Sequence, residues 1–186
     1  REVLDLIPAG KKVSIERETF PLLIESGKPL YAYVTSDYWI DLGRPEQYLD
    51  AHRHLFEGAA PHAIDFGTEP IAGPGAAVQP RGTLHPPVYI GKDITIDLSA
   101  TIGPNTVLGD GTRIGAGARV VGSILWDGVD VGDGACIEEA IVASRARIGA
   151  HARIRRGTVI GHDAVIEAGA DIPEDSRLVA EEVATG

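Results

Sequence analysis

The sequence predicts a mainly β chain: a parallel β-helix of about five coils, preceded by the closing elements of an α/β domain. Three observations predict it. Aliphatic residues recur from Val78 to Ile172, and fourteen of the sixteen steps between them are six residues long. The other two, Val120 to Leu125 and Ile137 to Val142, are five. Four positions after most of these residues stands a slim one, as at Ala100, Thr106, Thr112, Ala118, Ala135, Ala146, Ala152, Thr158, Ala164 and Ala170. Aromatic residues make up only 5% of the chain, as suits a core built of aliphatic ladders.

A period of six over half the chain is a solenoid signature. Strand side chains alternate between faces, so a six-residue unit can point its first residue inward and turn a corner before the next. Three units then make one triangular coil, and the aliphatic residues stack in three ladders. The first is Val78, Ile96, Ile114, Val131, Ile148 and Ile166. The second is Leu84, Ile102, Val120, Ile137, Ile154 and Ile172, and the third is Ile90, Leu108, Leu125, Val142 and Ile160. The slim residues fill the remaining interior. Gly103, Gly109, Gly115, Gly132, Gly149 and Gly161 follow ladder residues, where backbone freedom at a bend is the expected reason for glycine.

Residues 1–57 read as mixed α/β. Glu2–Ile7 is helix-like and closed by Pro8-Ala9-Gly10. Ser14 is placed to cap a helix running through Phe20 to Ser26, with Glu16 and Glu18 in its first turn and Pro21 forcing a kink or a late start. Leu30–Val34 and Tyr38–Leu42 alternate and carry aromatics, so both are expected strands. Pro45 opens a helix to Glu57, with Tyr48, Leu49, His52, Leu55 and Phe56 on one face. Residues 58–77, rich in Gly, Ala and Pro, read as a linker. Residues 78–172 are the β-helix. Pro173-Glu174-Asp175 interrupts the pattern, leaving 173–186 as an amphipathic tail. Two helices and two strands make a poor core alone. With no methionine and arginine at position 1, the chain is expected to be a piece of a longer protein.

A net charge of −10 and a pI near 5.0 argue against a nucleic-acid footprint. No apolar run reaches the ~20 residues that span a bilayer, and the charged start is no secretory signal. The single cysteine, Cys136, excludes an intrachain disulfide and fits a reducing cytosol, so a cytoplasmic location is expected.

Ile102-Gly103-Pro104-Asn105-Thr106-Val107, Ile114-Gly115-Ala116-Gly117-Ala118-Arg119 and Ile160-Gly161-His162-Asp163-Ala164-Val165 resemble hexapeptide repeats of the left-handed parallel β-helix. That resemblance supplies the hand. Ser14-Ile15-Glu16-Arg17-Glu18-Thr19-Phe20-Pro21, Leu30-Tyr31-Ala32-Tyr33 and Tyr38-Trp39-Ile40-Asp41-Leu42-Gly43-Arg44-Pro45-Glu46-Gln47-Tyr48 resemble, in that order, the closing segment of sugar-phosphate nucleotidyltransferases. Among these they are most similar to mannose-1-phosphate guanylyltransferases (GDP-mannose pyrophosphorylases). The family's order is the same: α/β domain, linker, hexapeptide β-helix.

The resemblance implies conversion of an NTP and a sugar 1-phosphate to an NDP-sugar and pyrophosphate, with GTP and mannose 1-phosphate as the expected pair. It implies Mg²⁺ as cofactor and Asp41, in Trp39-Ile40-Asp41-Leu42-Gly43, as one of two carboxylates holding it. Joining two anionic phosphates needs a hard cation. The residue pattern alone also allows Asp41 to cap the turn into the Pro45 helix. Glu16 and Arg17 sit where the family approaches the sugar phosphate; as plain surface residues they would be a first-turn acid and a solvated arginine. Trp39 reads as core or cleft wall, and Arg44 departs from the small hydroxyl cap usual in the family. The family's glycine-rich nucleotide loop, second metal carboxylate and sugar-phosphate lysine have no counterpart here, so the fragment alone is expected to be inactive.

The β-helix is expected to serve assembly as a homo-oligomer. Alternatives are a glucose-1-phosphate nucleotidyltransferase and a noncatalytic regulatory or scaffold subunit of the same build. Acyl transfer is disfavoured because no long loop interrupts the repeats. His85, His151 and His162 do not have the spacing of a converging zinc triad. Cys136 is expected near the coil surface, and Arg145, Arg147, Arg153, Arg155 and Arg156 make a basic patch that either grips an anion or is a solvated face.

Overall fold

The computed structural model describes residues 2–60, 69–75 and 82–180. It divides into two compact units, 1–37 and 38–186. Among the described residues the larger holds eighteen short strands in three parallel sheets that wrap a solenoid of about six turns. Sheet A stacks β1 (Ile71–Ala72), β3 (Val88–Ile90), β6 (Thr106–Leu108), β9 (Ile124–Leu125), β12 (Ile141–Val142), β15 (Val159–Ile160) and β18 (Arg177–Leu178). Sheet B stacks β2 (Thr83–Leu84), β5 (Thr101–Ile102), β8 (Arg119–Val121), β11 (Cys136–Glu138), β14 (Arg153–Ile154) and β17 (Asp171–Ile172). Sheet C stacks β4 (Thr95–Ile96), β7 (Arg113–Ile114), β10 (Asp130–Val131), β13 (Arg147–Ile148) and β16 (Val165–Ile166).

The registers reproduce the three expected ladders: Ile96 on Ile114, Ile102 on Val120, Leu108 on Leu125, and onward through each sheet. Val78 lies outside the described residues. Ile102, Leu108, Leu125, Ile137, Val142 and Ile160 are fully buried, and full burial of such a side chain contributes about 1.5–3 kcal/mol. The slim positions fill the centre, and the buried hydroxyls among them are satisfied locally. Thr112 Oγ1 donates to the Gly109 carbonyl at 2.7 Å, and Thr158 Oγ1 to the Pro173 carbonyl at 3.0 Å. The two five-residue steps delete one corner residue. Ser123 and Ala140 then supply the slim filler one position early, and both are fully buried.

The ladders run further than the sequence period suggested. Ala72 continues sheet A before the expected first coil, and Leu178 continues it after Ile172. Pro173-Glu174-Asp175 does not end the solenoid. Asp175 has φ 59°, the corner conformation that Glu139 and Asn105 take two and four coils away on the same edge. The glycines after ladder residues also need a different explanation. They are not at positive φ. At Gly132 a Cβ would stand 2.7 Å from the Ala150 nitrogen of the next coil, and at Gly109 2.6 Å from the Trp126 carbonyl carbon. Close approach of the neighbouring coil excludes a side chain there. Positive φ belongs to another row that includes Gly117, Gly134 and His151.

In the unit 1–37, Glu2–Ile7 reduces to one 3-10 turn, Leu4–Leu6. Ser14 caps as expected: its Oγ accepts from the Arg17 N–H at 3.2 Å, and its own N–H donates to Glu18 Oε1 at 2.9 Å. The capped turn, Ile15–Thr19, is a wide π-type turn, and α1 (Phe20–Glu25) starts after it with Pro21 in its first turn. Pro21 has no N–H to donate, so it is tolerated only where the regular ladder has just begun.

Neither expected strand forms: Leu30–Val34 and Tyr38–Leu42 pair with no strand among the described residues. Tyr31 and Tyr33 are about nine-tenths exposed, at 90% and 92%. Alternation and aromatics supply β propensity, but a lone strand leaves its ladder groups unpaired and buries neither face. The Pro45 helix forms as α2 (Pro45–Phe56).

Gly132→Ala is expected to cost about 1–3 kcal/mol by overpacking the inter-coil contact. Gly117→Asn, at φ 65° with nothing near its Cβ position, is expected to stay within about 0.5 kcal/mol because asparagine tolerates that conformation. Urea midpoints of the two variants check the difference.

Candidate functional site

Asp41 lies in an irregular loop that helix α2 holds at both ends. After Asp41 the chain enters the helix at Pro45, whose missing N–H costs nothing in a first turn. Before it, the Tyr38 hydroxyl is 2.9 Å from His54 Nδ1 near the far end of the same helix, with the rings edge to face. The Trp39–Gly43 loop therefore runs back along α2. The Asp41 carboxylate is exposed and makes no hydrogen bond or ion pair among the described residues. Its Oδ2 is 3.4 Å from where a Cβ on Gly43 would stand, so glycine leaves both oxygens room. Arg44 occupies the N-cap position without a capping hydrogen bond, and its Nε is 3.8 Å from Glu46 Oε1. Trp39 is 80% exposed, so it is not a core residue.

Helix α2 in turn stands over sheet A of the solenoid. The outward-facing row of this sheet runs Ile71, Tyr89, Val107, Ile124, Ile141 and Val159, stacked by register, and ends on Arg177. The same row on sheet B is Thr83, Thr101, Arg119, Cys136, Arg153 and Asp171, and on sheet C it is Thr95, Arg113, Asp130, Arg147 and Val165. Ile124 and Ile141 point away from the core yet are only 2% and 6% exposed. Ile141 and Val159 share an apolar cleft of about 280 Å³ with Leu42, Pro45, Tyr48 and Trp126. A second cleft, of about 370 Å³, lies between Leu49, Asp50 and Arg53 of α2 and the corner residues Asn105, Glu139 and Asp175. Sequence reasoning missed this apolar row. Its signal is an apolar residue just before every third ladder residue.

Glu16 and Arg17 lie in the other unit, adjacent in the capped turn, and both are exposed. Neither side chain has a partner among the described residues. As a magnesium ligand Asp41 is chemically suited: a free, hard oxygen donor of the kind Mg²⁺ takes one or two of, together with substrate phosphates. It supplies one ligand. Among the described residues no group of three or more His, Cys, Asp or Glu could hold a metal ion. That includes His85, His151 and His162; the His162 ring instead meets Trp126 edge to face at 5.4 Å.

Three members of the basic patch are occupied in bridging coils. Arg145 donates to both carboxylate oxygens of Asp163 at 2.7 and 2.8 Å, and Arg155 to both of Asp171 at 2.9 and 2.7 Å. Arg156 Nε is 3.6 Å from Glu174. The hydrogen bonds from Arg145 and Arg155 hold the Asp163 and Asp171 carboxyls below the usual carboxylate range. Cys136 is half-buried on the outward row of sheet B. No helix among the described residues is long and apolar enough to cross a membrane.

Residues 73–184 match the family model of the GMPPB C-terminal domain, and the chain belongs to that family. It is 39% identical over 99 residues to a mannose-1-phosphate guanylyltransferase of Mycobacterium tuberculosis, a match covering 52% of this chain and 28% of that protein. Over 48 residues it is 50% identical to a mannose-1-phosphate guanyltransferase of Kluyveromyces lactis, covering 26% of this chain and 13% of that protein. Over 95 residues it is 30% identical to a UTP–glucose-1-phosphate uridylyltransferase of Synechocystis, covering 48% of this chain and 24% of that one. The chain thus spans less than a third of the curated relatives it matches. These relatives are sugar-1-phosphate nucleotidyltransferases, and the three-sided parallel solenoid agrees with the hexapeptide-repeat left-handed β-helix.

The Arg145–Asp163 and Arg155–Asp171 pairs set an acid limb. A carboxyl lowered in the folded state stabilises above its unfolded pKa of about 3.9, and loses that contribution as pH falls through the lowered value. The double variant Asp163→Asn, Asp171→Asn is therefore expected to melt below the parent at pH 7, with the gap closing as pH falls below about 4. Thermal melts across that range check it.

Proposed function

We propose that this chain is the C-terminal part of a sugar-1-phosphate nucleotidyltransferase that makes GDP-mannose from GTP and mannose 1-phosphate. The observation that carries the reading is the 39% identity over 99 residues to a mannose-1-phosphate guanylyltransferase. A phosphate oxygen of mannose 1-phosphate attacks the α-phosphorus of GTP. The bond from that phosphorus to the bridging oxygen breaks, and pyrophosphate leaves with the electron pair. No covalent intermediate with the protein is required, so catalysis is positioning and electrostatics. When bound, Mg²⁺ offsets the negative charge gathered on the reacting phosphates.

Asp41 is one carboxylate that holds the ion; its lack of a side-chain partner among the described residues and the space left by Gly43 support that role. Glu16 and Arg17 approach the sugar phosphate, the carboxylate suited to sugar hydroxyls and the guanidinium to phosphate. The remaining nucleotide-binding parts lie in chain not included in this sequence. The solenoid serves assembly into a homo-oligomer, and the complete protein works in the cytoplasm.

A second reading, a glucose-1-phosphate nucleotidyltransferase, is favoured by the 30% identical uridylyltransferase. Pyrophosphate release by the full-length protein separates the two, with mannose or glucose 1-phosphate offered against each NTP. The expected outcome is release with GTP and mannose 1-phosphate, lost at least 100-fold in Asp41→Asn, and none from residues 1–186 alone. Release only with glucose 1-phosphate would move the substrate. Release undiminished in Asp41→Asn would remove the metal role.

A further inference from the structure

We infer that the solenoid sets the position of the Asp41 loop: Ile141, Val159 and Trp126 are positioning residues that act on Asp41 through helix α2 and the Leu42–Pro45 turn. The inference rests on the reading of Asp41 as a metal ligand. Three observations carry it. From Tyr89 to Val159 the outward row of sheet A is apolar, with Arg177 following it, whereas the same row on the other two sheets is threonine, arginine, aspartate and cysteine except at Val165. This row is buried where α2 and its preceding turn lie, with Ile141 only 6% exposed. The residues sharing the cleft with Ile141 and Val159 are Leu42, Gly43 and Pro45, immediately after Asp41, together with Tyr48 one turn into the helix.

The physical logic is leverage on an otherwise unsupported loop. Asp41 has no side-chain partner, and the Trp39–Gly43 segment pairs with no strand among the described residues. Two restraints on it are visible. One is the Tyr38–His54 hydrogen bond to α2, which fixes the loop only relative to the helix. The other is the apolar cleft that Leu42, Pro45 and Tyr48 line together with Ile141 and Val159, which places helix and loop beside a stiff rod. A carboxylate that meets a metal and two substrates must be placed to within about 1 Å, and a misplacement of that size from a remote change can cost about a hundredfold in rate.

The test uses the full-length protein and four variants. Ile141→Arg places on sheet A the residue that sheets B and C already carry in this row, so the coil itself accepts it. Val165→Arg makes the same change on sheet C at an exposed site, and Ile141→Val is the conservative rescue. Asp41→Asn removes the carboxylate. Three readouts are compared: Mn²⁺ affinity by electron paramagnetic resonance, hydrogen exchange of the Trp39–Gly43 amides, and pyrophosphate release with its kcat and KM.

Ile141→Arg is expected to weaken Mn²⁺ binding and speed exchange at Trp39–Gly43. It is expected to lower kcat about ten- to a hundredfold while the solenoid amides stay protected. Val165→Arg and Ile141→Val should behave as the parent. Parent-like Mn²⁺ affinity, exchange and kcat in a folded Ile141→Arg would overturn the inference. If that variant does not fold, Trp126→Ala, at the cleft edge, carries the same comparison and the same two outcomes. Full Mn²⁺ binding and activity in Asp41→Asn would instead overturn the underlying reading of Asp41, and the inference with it.

Discussion

The structure depends on one constraint: each coil hydrogen-bonds in register to the next, at the spacing of a parallel sheet, with nothing between them. That spacing makes aliphatic residues stack on aliphatic residues and requires a slim residue at the centre of each coil. It also excludes any side chain at Gly109 and Gly132, where the next coil's backbone lies within 3 Å of a would-be Cβ. Because every strand is only two or three residues long, no coil is held by its own local structure. Stability and stiffness come from the stack, as in other repeat architectures.

A stiff rod with three equal inner ladders has three different outer faces, and the difference bears on function. Two faces carry threonine and alternating charge, and the inter-coil Arg–Asp pairs sit on the rim. The third is apolar and is partly covered by α2. This asymmetry turns a repeating scaffold into a platform for one specific helix, and through that helix for the loop bearing Asp41. The same asymmetry explains why the arginines 145, 155 and 156 are not a free anion site. Each has an acid of the next coil within reach, and the charge is spent holding coils together.

The inner ladders were legible because every step reports the same event, an aliphatic residue turning inward. The coil ends were less so. Pro173-Glu174-Asp175 reads as a breaker, although Asp175 simply takes the corner conformation and Leu178 arrives six residues after Ile172. The apolar outer row was present in the sequence as Tyr89, Val107, Ile124, Ile141 and Val159. A search for the ladder period absorbs each of these as the ladder residue's neighbour. Tyr31, Tyr33 and Trp39 misled in the opposite way: their alternation states a preference for extended backbone and says nothing about whether a partner strand is at hand. Asp41 could be nominated from its motif, but its support by a residue 100 positions later lies beyond any local pattern.

The most direct measurement is an experimental structure of the full-length protein with Mg²⁺ and GDP-mannose. The account predicts an Asp41 oxygen about 2.1 Å from the ion, with Leu42, Pro45 and Tyr48 still lining one cleft with Ile141 and Val159. An ion bound without Asp41, or a loop that has left the sheet A face while Asp41 keeps its ion, would contradict it.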